Sequence, residues 1–168
     1  MSVTDLGPVH LEPRLDPRGI RFSAGVSAAV LALVLLSGSG LLATAQAVVL
    51  AVGAFAGMRF APYGVLYRHL LAPRLEPVSG GEDAAPARFA QAAGLVVATA
   101  GAIGYLSGLT TLGAVATASM LVVALLTAAT GYCPGRELYG LLARLRTGPA
   151  GAHLTVHHRR HRSGVLRT

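Results

Sequence analysis

Lysine and tryptophan are missing from this chain, and cysteine occurs once, at Cys133. A lone cysteine excludes an internal disulfide and a Cys-x-x-Cys couple. Charge is scarce as well: Asp, Glu and Arg make up 12% of the residues, roughly half the share of an ordinary soluble domain. Their distribution excludes more than their amount. No charged residue occurs in 22–58 or in 89–135, runs of 37 and 47 residues. A soluble helical protein carries charge on the outer face of nearly every helix. These runs have no such face, so lipid is the solvent they fit. The same absence removes the usual carrier for a proton relay or an ion-driven pump. There is no Gly-rich phosphate loop with Lys, and no Ser/His/Asp set with a common site.

What is present is apolar: 53% of the residues are hydrophobic, with 21 glycines besides. As one helix, 37 residues would run about 55 Å, nearly twice a hydrocarbon core of roughly 30 Å. Each run must fold back once. Ser37-Gly38-Ser39-Gly40 breaks the first, and Ser107-Gly108 with Thr110-Thr111 breaks the second. Four spans are expected, near 20–37, 41–58, 89–107 and 111–132. Backbone groups in lipid need internal partners, so helices are the expectation. Ala43-Thr44-Ala45 resembles a signal-peptide cleavage site, but acids precede it and the chain after it stays apolar.

All 14 basic residues are Arg, confined with the acids to 5–21, 59–88 and 136–167, and neither hairpin tip holds one. Positive residues near a bilayer stay on the cytoplasmic side. The expectation is a multi-pass protein of a bacterial plasma (inner) membrane, with N- and C-termini cytoplasmic.

The two halves echo each other. Arg21-Phe22 answers Arg88-Phe89, Leu36-Ser37-Gly38 answers Leu106-Ser107-Gly108, and Pro62 and Tyr67 answer Pro134 and Tyr139, at offsets of 67, 70 and 72 residues. Two spans per unit return the chain to one side, so the repeat would be parallel. An amphipathic stretch follows each hairpin, at 62–75 and 136–146, suited to lie in the membrane interface beside anionic phospholipid. The fold expected is therefore an all-α membrane bundle of four transmembrane helices, within a domain at 1–146. A disordered basic His/Arg-rich tail is expected at 147–168. Gly53/Gly57 and Gly104/Gly108 have GxxxG spacing, and Gly94, Ala98 and Ala102 extend a small face, which suits close helix packing.

Few residues offer chemistry. Gln46 and Gln91 are polar groups in apolar runs: Gln46 can bond another helix or line a small polar cavity with Thr44, whereas Gln91, which opens its span, is expected at the membrane interface. Cys133 sits in Gly131-Tyr132-Cys133-Pro134-Gly135-Arg136, where Arg136 would favour a thiolate. Asp16 and Pro17 form a helix entry, with Arg18, Arg21 and Phe22 after it. His153, His157 and His161 share four-residue spacing, a conceivable metal face, but Arg159, Arg160 and Arg162 repel cations. No cofactor is implied. The basic tail, tethered at a bilayer, meets anionic lipid more simply than nucleic acid.

Together DPRGIRF at 16–22, Gln46, PARFAQ at 86–91 and GYCPGRELY at 131–139 resemble a bacterial membrane family, the domain of unknown function 4395 family. The resemblance covers roughly 12–142. It implies a motif Cys-x-Gly-Cys-x-x-Tyr, of which Cys133, Gly135 and Tyr139 match while Arg136 stands at the second cysteine. Any dithiol chemistry of the family would lack its resolving thiol here. The resemblance also implies thioredoxin-like or sulfurtransferase partners. Three functional readings follow. The first is a non-catalytic membrane subunit or scaffold, which docks a cytoplasmic partner or anionic lipid and which could self-associate. The second is a thiol-redox or sulfur-handling membrane protein using Cys133. The third is a small-solute permease lined by Gln46 and Thr44.

Overall fold

The computed structural model describes residues 15–75 and 84–147, with side chains to 145. Among them every regular element is helical, and there is no strand. Helix α1 (Pro17–Ser37) begins where Asp16 Oδ1 accepts from the Arg18 N–H at 2.8 Å and Pro17 takes the first helical position. It stops at Gly38, which turns left-handed at φ 62° and returns its N–H to the Val34 carbonyl. Ser39 caps α2 (Gly40–Ala51), whose last turn loosens into a π turn at Val52–Ala56. A short α3 (Pro62–Leu70) follows. The second apolar run gives α4 (Ala84–Leu106) and α5 (Thr110–Thr130), joined at Gly108 with φ 80°. Helix α6 (Pro134–Thr147) closes the described chain.

Three helices, α1, α4 and α5, are long and apolar enough to cross a membrane. At 21 to 23 residues each, they run about 32–35 Å. The second expected span is shorter. The apolar stretch Gly40–Ala56 covers about 25 Å before Gly57 ends it at φ 96°. The amphipathic stretches both form helices, and α6 extends to Thr147, into the region expected as tail. The remainder of that tail, with His153, His157 and His161, lies outside the described residues.

Packing is the reverse of a soluble core. Buried positions are mostly small: Ala28, Ala43, Ala47, Ala54, Ala98, Ala102 and Ala116. Large side chains such as Leu33, Leu36, Val48, Val96, Ile103, Val122 and Leu125 point outward. That pattern suits an apolar solvent, where close backbone approach rather than burial of bulk holds helices together. Helix α1 packs chiefly on α5, α2 on α4, and α4 also on α5, while α3 leans on α1 and α6 on α4. Within the first hairpin, α1 and α2 touch little. A Cβ at Gly104 would stand 2.6 Å from the Gly113 nitrogen, which fixes how closely α4 and α5 approach. The GxxxG spacing divides its labour differently from the simple packing expectation. Gly53 and Gly104 make the contacts, whereas Gly57 and Gly108 face open space and serve as turns.

Candidate functional site

One half-open cavity of about 600 Å³ lies between the helices. Its walls come from every element of the bundle. Ser23, Ser27 and Leu31 of α1 face Gln46 and Leu50 of α2, Gln91, Gly94 and Val97 of α4, and Ser119, Met120 and Thr127 of α5. Its mouth lies where α1 and α4 begin and α2 and α5 end, and there Asp16, Arg59, Arg68, Cys133 and Arg136 gather. Charge is therefore restricted to the rim, and the interior is apolar with hydroxyl and amide groups set into it.

Gln46 is the decisive group. It is 1% exposed. The Tyr63 hydroxyl donates to its Oε1 at 2.7 Å, which turns the amide so that Nε2 is left without a hydrogen-bond partner. Gln91 packs against Gly53 of the π turn, and its Oε1 is likewise buried and unpartnered. Leaving a buried donor or acceptor unsatisfied costs about 1–3 kcal/mol each, so two in one cavity mark a place kept polar at a cost in stability. Burial raises Tyr63 above the ordinary tyrosine value, which keeps its hydroxyl a donor over the physiological range.

The sequence motifs divide into a lining set and a framing set. Asp16, Gln46, Gln91, Cys133 and Gly135 share the cavity. Cys133 is a free, half-buried thiol, and Gly135 brings α6 onto Ala90, where a Cβ would sit 2.9 Å from the Ala90 Cβ. The framing residues hold helix ends. The Arg21 guanidinium donates to the Ala128 and Ala129 carbonyls at 3.0 and 2.7 Å. Arg88 donates to the Ala54 carbonyl at 3.3–3.4 Å. Both place a cation on the unsatisfied carbonyls of a helix C-terminus, α5 in one case and α2 in the other. Phe22 packs against Tyr67 with ring centroids 5.8 Å apart, and Phe89 against Tyr139 at 5.7 Å, both pairs tilted. The Tyr67 hydroxyl donates to Asp16 Oδ2 at 2.7 Å, tying α3 to the start of α1. Pro17 and Arg18 belong to that helix entry, with the Arg18 side chain exposed.

Thr44 does not line the cavity, because its hydroxyl donates back to the Gly40 carbonyl within α2. The serines of α1, Ser119, Tyr63 and Arg59 were not legible as site residues. Ser23 and Ser27 lie four apart on one helix face, the one signal that could have found them.

The family model described as Domain of unknown function (DUF4395) matches residues 15–144, which takes in α1 to α5 and most of α6. The chain belongs to this family. No curated protein and no solved structure matches it. The region shared with the family model begins at Leu15, beside the α1 cap, and ends within α6, so the cavity lies wholly inside the DUF4395 region.

Proposed function

We propose that this DUF4395 protein is an integral membrane protein that binds a small solute in the cavity between its two halves. The unpartnered Nε2 of Gln46, held by Tyr63 and buried in the cavity wall, carries the proposal. Four spans in two parallel hairpin repeats accompany this reading. Support for the repeat comes from paired geometry. Arg21 on the end of α5 answers Arg88 on the end of α2, and Phe22–Tyr67 answers Phe89–Tyr139. A cavity at the interface of two repeats, near mid-depth, is where solute-handling membrane proteins place their sites. Gly40–Ala56 is one turn shorter than α5. It would cross with its Arg88-capped end drawn in from the interface, or with local thinning of the bilayer.

The arginine distribution supports a plasma-membrane orientation with the cavity mouth and both termini on the cytoplasmic side. Helix α6 then lies in the interface. Its exposed Leu138, Leu141, Leu142 and Leu145 enter the acyl boundary beside anionic headgroups. Cys133 stands at the mouth as a contact for what enters, and the Arg-bearing face is the surface on which a cytoplasmic partner would dock.

Accessibility of single cysteines tests the cavity. In a Cys133→Ala chain, Ser27→Cys is expected to react with a membrane-impermeant methanethiosulfonate applied from the cytoplasmic side. Val96→Cys, on an outward-facing position, is expected to resist it. Equal reactivity at the two positions, or none at Ser27, would remove the reading.

A further inference from the structure

We infer that the seam between α2 and α4 is a path by which a small uncharged solute crosses the membrane, with Tyr105 at its outer gate. This rests on the cavity reading above and goes beyond binding. Three buried side-chain polar atoms among the described residues have no hydrogen-bond partner: Gln91 Oε1, Gln46 Nε2 and the Tyr105 hydroxyl. They are ordered through the thickness of the bundle. Gln91 meets Gly53 near the arginine-bearing end. Gln46 adjoins Ala47, which packs with Ala98 halfway along α4. Tyr105 packs beside Val34, Ala43 and Ala102 near the hairpin tips. Gln91 and Tyr105 are fourteen residues apart on α4, close to four full turns, so they share a face. Successive polar groups are thus spaced by about 10 Å along the seam.

The cavity reaches Gln46 from the mouth and goes no further. Beyond it Val34, which is fully buried, closes the seam with Ala43, Ala102 and Leu42, and the Tyr105 ring lies over Gly113. That is the arrangement of a path open at one end and shut at the other by aliphatic side chains and one tyrosine ring.

The chemistry of the path selects its solute. No ionic side chain occurs in 22–58 or 89–135, so an ion would travel uncompensated. Gln46 Nε2 asks for an acceptor and Gln91 Oε1 for a donor. A molecule with a carbonyl and N–H groups, of the urea or simple amide kind, answers both.

Flux into proteoliposomes carrying the full chain tests this. Urea is expected to equilibrate at least tenfold faster than in protein-free vesicles. Permanently charged methanesulfonate is expected to stay at the protein-free rate. Gln46→Leu should return urea to that rate, and Tyr105→Ala should raise it several-fold. Urea flux at the protein-free level, or flux indifferent to Gln46→Leu, overturns the path. Methanesulfonate moving as fast as urea overturns the solute class. Ser27→Cys labelling in the same vesicles separates the two readings. If labelling persists while flux is flat, the cavity stands and the path falls; if labelling is lost, the cavity reading falls as well.

Discussion

A buried amide with an unused donor is a local conflict between stability and use. Gln46 spends its oxygen on Tyr63 and leaves its nitrogen buried in the cavity wall without a partner. Gln46→Leu keeps the volume and removes the unsatisfied group, and Tyr63, which is only partly buried, can turn its hydroxyl to water. The substitution is therefore expected to leave the thermal midpoint in mild detergent unchanged or raised while solute handling is lost, the signature of a functional polar group. A fall equivalent to more than about 2 kcal/mol would instead make Gln46 a structural tie. Tyr67 behaves oppositely. Burial, then its hydrogen bond to Asp16 and the Asp16 charge, raise it above the ordinary value of 10.0, against a smaller lowering by Arg18. A raised folded pKa means that the native state holds the proton more tightly, so this stabilisation is complete below pH 10 and fades as pH climbs through the raised value. Tyr67→Phe is expected to cost about 1 kcal/mol at neutral pH and to flatten the alkaline fall of the melting temperature. At this scale the sequence was legible for Gln46 and Cys133, because polar groups stand out in an apolar run; Gln91 stood out in the same way but was expected at the interface rather than in the cavity. Tyr63 and Tyr105 were not legible, since a tyrosine's partner, or lack of one, depends on which helix faces it.

Elements were legible wherever charge and glycine punctuate the chain. The charge-free runs and the Ser-Gly breaks delivered α1, α4 and α5 to within a few residues. The second segment was legible as short, since 41–58 lies near the lower limit for a span, but the way it ends was not. Residues 52–57 read as ordinary apolar helix, and only the left-handed turn at Gly57 and the π turn before it show where α2 ends. Glycine packing was half legible for the same reason, because spacing identifies a face without saying which glycine touches a neighbour. Gly104 is the sharp case. Its missing Cβ would collide with backbone, the Gly113 nitrogen at 2.6 Å, which cannot yield as a side-chain tip can. Gly104→Ala is expected to lower stability by about 2–3 kcal/mol, read as a loss of folded, monodisperse protein on size-exclusion chromatography and a lower melting temperature. Gly25→Ala, with nothing within 4 Å of the new methyl, is the matched control. It is expected to stabilise α1 slightly through helix propensity, by up to about 1 kcal/mol. Equal effects at the two positions would mean that α4 and α5 are not in close contact at Gly104.

At the scale of the whole molecule, the contacts that join the two halves outweigh those inside the first. Helices α1 and α2 barely meet; each leans on the second half, α1 on α5 and α2 on α4, while α4 and α5 pack directly on each other. Arg21 and Arg88 reinforce that exchange, since each closes a helix end belonging to the other half. Sequence offsets could suggest a duplication but not this crossed pairing, which depends on three-dimensional arrangement. The pairing has a consequence for fragments cut between 76 and 83. A fragment ending there holds two apolar segments with little to bind each other, and its Arg21 has no α5 terminus to close. It is expected to be degraded when expressed alone. The fragment that begins there keeps the α4–α5 seam and is expected to accumulate at a reduced level. Co-expression should restore the first fragment and recover both as one complex in mild detergent. Arg21→Ala in the first fragment should weaken that recovery, because it removes two charge-assisted hydrogen bonds to α5, each worth about 1.5–3 kcal/mol when buried and less at this exposed end. Stable accumulation of the first fragment by itself, with no gain from its partner, would mean that each hairpin folds as an independent unit and that the crossed arrangement does not govern assembly.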